Sequence, residues 1–172
     1  FYGIIKKRKS GDLMTEKMKI IDFLRENQLD AIFVQKDENC RYLSKFTGSD
    51  SYLLLTKEEL YLLTDSRYTE QARKEAADYT VVDYKGHLAE IVAKLAGEYH
   101  IKTMGVETVF SYQMYLSFHK YMPNIEFRFS QIDRLRQIKS EEEISCIKEA
   151  CRISDAASKA TLPFIRAGIT EA

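Results

Sequence analysis

The sequence predicts an α/β domain, a mixed sheet of about six strands flanked by helices, with a long helix of different character after it. Three observations carry this. Segments of helical period alternate with short apolar runs from residue 15 to residue 129, the pattern of helices laid on a sheet. Two apolar runs, residues 52–56 and 59–64, flank Lys57-Glu58 and read as an antiparallel hairpin. From Ser140 a capped helix begins whose stripe is narrow and rich in small residues.

The chain has 172 residues, enough for one domain of ordinary size and a substantial core. Its 26 basic and 26 acidic residues balance, so nothing overall argues for nucleic acid or an anionic membrane as a partner. No apolar run reaches the ~18–20 residues that cross a bilayer, and a cytoplasmic protein is expected. The three cysteines, Cys40, Cys146 and Cys151, form no Cys-x-x-Cys pair and suggest neither a disulfide framework nor a zinc site.

Residues 1–13 contain Lys6-Lys7-Arg8-Lys9 without helical or strand period and read as a leader or vector-derived extension before a start at Met14. From residue 15 to 28, Ile20, Ile21, Phe23 and Leu24 share one broad face of an amphipathic helix. Ala31-Ile32-Phe33-Val34 is a strand short and apolar enough to be buried on both faces. Residues 39–50 read as a loop, and the hairpin follows. Asp65-Ser66-Arg67 is a polar turn that launches a helix over residues 66–77, with Asp or Ser as its cap.

Thr80-Val81-Val82-Asp83-Tyr84 is β-branched and forms the next strand. Residues 87–99 give the cleanest helix, with Leu88, Ile91, Val92, Leu95, Ala96 and Tyr99 on one stripe. Residues 103–107 form a strand, Ser111 caps a helix carrying Met114, Phe118, Tyr121 and Met122, and Pro123 stops it. Residues 125–129 alternate Ile, Glu, Phe, Arg, Phe, a strand with one wet face.

The domain is therefore set at residues 14–133, with a charged linker at 134–140 and a different unit at 141–172. In the last, Ile144, Ile147, Ala150, Cys151, Ser154 and Ala157 form the stripe, and Thr170-Glu171 reads as the cap of a further helix. A stripe and a cap without evident partners suggest a piece of a longer protein.

Asn39-x-x-Tyr42-Leu43-x-x-Phe46-Thr47-Gly48-Ser49, followed after an apolar strand by Thr64-Asp65-x-Arg67-Tyr68-x-x-Gln71-Ala72, resembles the N-terminal domain of the creatinase, prolidase and aminopeptidase P family. Leu135-Arg136-x-Ile138-Lys139-Ser140-x-x-Glu143-Ile144 and Gly168-x-Thr170-Glu171 resemble the entry into that family's "pita-bread" catalytic domain. One departure is Ser51, where relatives often carry glycine. The resemblance implies a creatinase N-terminal-like fold and a parent metallopeptidase, an Xaa-Pro dipeptidase, that hydrolyses the bond before a proline. It also implies two divalent ions, commonly manganese, held by two Asp, one His and two Glu of the catalytic domain, where metals would activate a bridging water. None of those ligands matches a position in this chain, so no catalytic or metal residue is assigned, and the fragment is expected to be inactive.

The implied partners are the protein's own catalytic domain, a second subunit in a homodimer and a proline-containing peptide. Alternatives are a stand-alone dimerisation module, an aminopeptidase P and a creatinase-like hydrolase. His87, His100 and His119 lack the clustering of metal ligands. No Gly-rich phosphate loop or Gly-x-Ser-x-Gly elbow is present, and Gly48-Ser49-Asp50-Ser51 precedes a strand where an anion cradle needs a helix. Candidate access or interface residues are Asp37, Asn39, Tyr42, Asp65 and Arg67. Read locally, Asp65 caps a turn across which Arg67 pairs, and residues 37–42 form a solvated loop.

Overall fold

The computed structural model describes residues 10–170, with backbone alone for residues 10–16. It divides into two units, residues 1–135 and 136–172. In the first, helix α1 (Ser10–Glu26) precedes strand β1 (Ala31–Val34), α2 (Asp37–Ser44), the hairpin β2 (Ser51–Thr56) and β3 (Leu60–Thr64), and α3 (Thr69–Glu75). Then come β4 (Thr80–Asp83), α4 (Leu88–Glu98), β5 (Thr103–Val106), α5 (Tyr112–Tyr121), β6 (Glu126–Phe129) and a 3-10 turn over Ile132–Arg136.

The six strands form one mixed sheet in the order β4-β3-β2-β1-β5-β6. Its register follows from side-chain alternation. β1 is buried along its whole length, as its continuous apolar run requires, and sits centrally between antiparallel β2 and parallel β5. Ile32, Val34, Leu53, Leu55 and Leu62 face α1, α2 and α3, in a core with Leu24, Leu43, Phe46 and Ala72. Phe33, Leu54, Leu63 and Met104 face the other way, onto Val92, Leu95 and Ala96 of α4 and Phe118 of α5. Burying both faces is what makes β1 and the hairpin apolar throughout.

At Gly105 the side chains of Leu29, Ile32 and Ser130 close over the strand. A Cβ there would stand 2.7 Å from Leu29 Cδ1 and 3.2 Å from Ile32 Cγ1, so any side chain must displace the core. Gly48 is constrained in the same way by the Phe46 ring.

The fold is the α/β architecture that the sequence predicts, with three local differences. Residues 37–44, read as loop, form α2, whose inward residues are Asn39, Cys40, Leu43 and Ser44. Only Cys40 and Leu43 among these are apolar, too few for a period to stand out. Helix α3 starts at Thr69, its cap position is Tyr68 and no side chain caps it. Asp65 instead accepts the backbone N–H of Arg67 at 2.8 Å, an Asx turn that ends before the helix begins. At the start, Ser10–Leu13 belong to α1, where the sequence shows no period, and residues 1–9 lie outside the described residues.

In the second unit, α6 (Glu141–Thr161) opens on the expected capping box, with Ser140 Oγ accepting from Glu143 N–H and Glu143 accepting from Ser140 N–H. No residue of α6 is buried. A 3-10 turn at Leu162–Phe164 follows; the Thr170-Glu171 cap reading extends to residues outside those described.

Candidate functional site

Strand direction gathers the candidate residues. β1, β3, β4, β5 and β6 run one way and β2 alone runs the other, so five carboxyl ends meet at one end of the sheet. Open α/β sheets present ligand and partner surfaces at such ends. Asp65 directly follows β3, Asp37 and Asn39 follow β1 in the first turn of α2, Tyr42 lies one turn on, and Asp50 enters β2 from the same side. Two polar clusters result.

The first is exposed. Arg67 forks onto Asp65, donating from Nε to both carboxylate oxygens at 3.0 and 3.1 Å and from Nη2 to Oδ2. Nη2 also reaches Asp50 at 2.8 Å, and the guanidinium lies 5.3 Å from the centre of the Tyr68 ring. Asp50 holds a left-handed backbone, φ 51°, a conformation that aspartate tolerates. The hydrogen bonds from Arg67 hold the Asp65 carboxyl below the usual range. Nearby, burial and then the negative charges of Asp50 and Asp37 raise the Tyr52 phenol. Both readings of this turn therefore start from a fact: Arg67 pairs across it, and it stays open to solvent.

The second cluster is buried. Glu107, which ends β5, is only 3 % exposed, and its carboxylate accepts the N–H groups of Gln35 at 2.6 Å and Lys36 at 2.8 Å. It thereby satisfies backbone donors at the entry to α2, the work of a cap supplied from across the sheet. Asn39, 1 % exposed, donates its amide to Glu107 and, at 3.1 Å, to Asp133. Lys36 Nζ stands 3.1 Å from Asp133 Oδ2, and the Tyr42 hydroxyl donates to the Leu135 carbonyl at 2.9 Å. Burial, then the charges of Glu107 and Asp37, pushes the Cys40 thiol well up, so it stays protonated and inert.

Of the five candidate residues, then, Asp37, Asp65 and Arg67 are on the surface side of this end. Asn39 and Tyr42 turn inward and serve α2 and the 3-10 turn. Glu107 and Asp133 went unremarked in the sequence; the available signal was an acidic residue closing an apolar strand.

Geometry also explains why the two motif halves occur together. Thr47 donates from N–H and hydroxyl to Glu75 Oε2, both at 2.8 Å, and Gln71 donates to Thr47 and Glu75. Ser49 and Tyr68 hydroxyls meet at 3.0 Å, and Phe46 packs edge-on to Tyr68. The loop of one half is therefore bonded to the helix of the other.

Elsewhere, His119 stacks on Tyr115 with ring centres 5.5 Å apart, and His87 opens α4 without capping it. Among the described residues, no three His, Cys, Asp or Glu side chains converge as metal ligands would. No described helix is long and apolar enough to cross a membrane.

Comparison with known proteins agrees with this fold. Residues 18–138 match the creatinase/prolidase N-terminal domain. The chain is 34 % identical over 166 residues to an Xaa-Pro dipeptidase of Pyrococcus horikoshii, covering 93 % of this chain and 45 % of that protein. It is 31 % identical over 150 residues to an uncharacterised peptidase, YqhT, of Bacillus subtilis, covering 83 % and 41 %. Among solved structures, the Xaa-Pro dipeptidase from Bacillus anthracis superposes with a TM-score of 0.85 at 33 % identity, over 92 % of this chain and 45 % of that one. The chain thus spans less than half the length of these relatives. Sheet order, the two coupled motif halves and these likenesses together place the chain in the creatinase/prolidase N-terminal domain family.

Proposed function

We propose that this chain is the non-catalytic N-terminal domain of an Xaa-Pro dipeptidase, whose hydrolysis is carried out by the further length that its relatives possess. The observation that carries the reading is the match at residues 18–138, in a chain spanning only 45 % of an Xaa-Pro dipeptidase. On this reading the expected metals, manganese among them, are held by that further length, and no step is routed through them here.

On this reading the domain flanks the catalytic half and contributes to substrate access and to contacts in a homodimer. The exposed Asp37 and Arg67, with the half-buried Asp65, form its contact rim, and Asn39 and Tyr42 hold α2 beneath that rim. Residues 14–133 are the domain proper, 134–140 the linker, and 141–172 the start of the catalytic half. Cytoplasmic residence fits the same picture.

The test is an assay of the purified 172-residue chain against Xaa-Pro dipeptides with added manganese, beside the same chain extended by its downstream coding sequence. The expected result is no hydrolysis by the chain and hydrolysis by the extended protein. Turnover by the 172-residue chain itself overturns the proposal.

A further inference from the structure

The Asn39 side chain ties together three segments far apart in sequence. Its amide nitrogen donates to Glu107 at the end of β5 and to Asp133 in the 3-10 turn. An amide nitrogen has two hydrogens, so the two carboxylates use both. Lys36 Nζ, at 3.2 and 3.1 Å from the two Asp133 oxygens, offsets the second negative charge. One turn further along α2, Tyr42 holds the Leu135 carbonyl at 2.9 Å.

Residues 132–135 lie beyond β6 and outside the sheet's ladder. Within the turn, Arg134 N–H bonds to Gln131 O at 3.1 Å. Ile132 is buried in the α1–α2–α3 core, and Leu135 packs against it. Ile132 and Leu135 thus anchor the turn on its apolar side, and side chains of α2 hold it on its polar side.

We propose that α2 is a lock on the last turn of the domain. The bonds from Asn39 and Lys36 to Asp133, and from Tyr42 to Leu135, hold residues 132–135 against the sheet. Releasing them opens that turn while the sheet stays folded. The inference uses only contacts within residues 1–135 and is independent of the peptidase reading.

Hydrogen exchange on the 172-residue chain tests it, comparing wild type with Asp133→Ala and Tyr42→Phe. Asp133 is partly exposed and Tyr42→Phe keeps the ring, so both variants retain the buried Glu107–Asn39 bond. In Asp133→Ala the amides of Arg134 and Leu135 should exchange about tenfold faster, and in Tyr42→Phe a few-fold faster, while β1 and β2 amides keep their rates. Unchanged exchange at 132–135 in both variants overturns the proposal, because the contacts from α2 to Asp133 and Leu135 would then not be what holds the turn. Equal acceleration throughout the strands also overturns it, because the contacts would then serve global stability rather than a local lock.

Discussion

Two clusters of carboxylates and cations sit at the same end of the sheet and follow opposite rules. Around Arg67 every partner is close and Asp65 is only 19 % exposed, yet the Arg67 side chain is 66 % exposed and Asp50 56 %, so water competes for the guanidinium and holding the long side chain costs entropy. Around Glu107 the charge is buried, and what it meets are backbone N–H groups and an amide that have no other recourse. Proximity is therefore a poor guide to energetic weight. What decides it is whether a group would find water if its partner left.

The largest expected effect comes from breaking the buried side. Glu107→Ala strands the Gln35 and Lys36 N–H groups and half of the Asn39 amide in a dry site, and should lower unfolding free energy by about 3 kcal/mol. Urea unfolding read by far-ultraviolet circular dichroism measures it, and a loss no larger than that of a surface substitution would remove the distinction between the clusters.

A third carboxylate, at the other end of the sheet, lies between these extremes. Asp30 accepts the N–H groups of Lys102 and Thr103, each at 3.0 Å, and the Thr103 hydroxyl at 3.0 Å. Burial pushes its pKa up, but these bonds and Lys57 outweigh it and hold it below its ordinary 3.8. Asp30→Ala should cost about 1 kcal/mol at neutral pH. A lowered folded pKa means the contribution is complete above the unfolded value and is lost as pH falls through the folded one. The gap between wild type and variant should accordingly close on acidification below about pH 4, as paired urea melts across that range would record.

The smallest effect belongs to the exposed cluster. Arg67→Ala should leave the melting temperature indistinguishable from wild type, with a visible change only in the conformation of residues 50 and 65–68, followed by their amide chemical shifts. A clear loss of stability would mean that exposed ion pairing carries the turn after all.

The structure also separates what could be seen in the chain from what could not. Helix α4 was legible because it buries one face and so displays a period: Leu88, Ile91, Val92, Leu95 and Ala96 describe a stripe before any sheet is known. β1 and the hairpin were legible as short continuous apolar runs, because they bury both faces. The pairing of the two motif halves was legible as a pattern, though not the Thr47–Glu75 and Ser49–Tyr68 bonds that cause it. Helix α2 was not legible: it has two apolar inward residues, Cys40 and Leu43, and its entry is satisfied by a carboxylate some 70 residues away. The cap expected at α3 failed for a related reason, since Asp65 spends its oxygens on Arg67 two residues on.

The stripe on α6 shows the same limit. The period is visible in the sequence, and no residue of the helix is buried in the structure.

By itself the amino-acid order determined the six strands and every α-helix of the first unit but α2, the two-sided burial of the central strands and the family pattern, because hydrophobic period and turn chemistry act over a few residues. Only the folded chain decided that Asn39 is buried against Glu107 and that Tyr42 bonds the Leu135 carbonyl, while Arg67 faces water. That choice rests on Glu107 and Asp133, brought beside α2 by strand order and direction, and no local pattern encodes a neighbour that arrives from across a sheet.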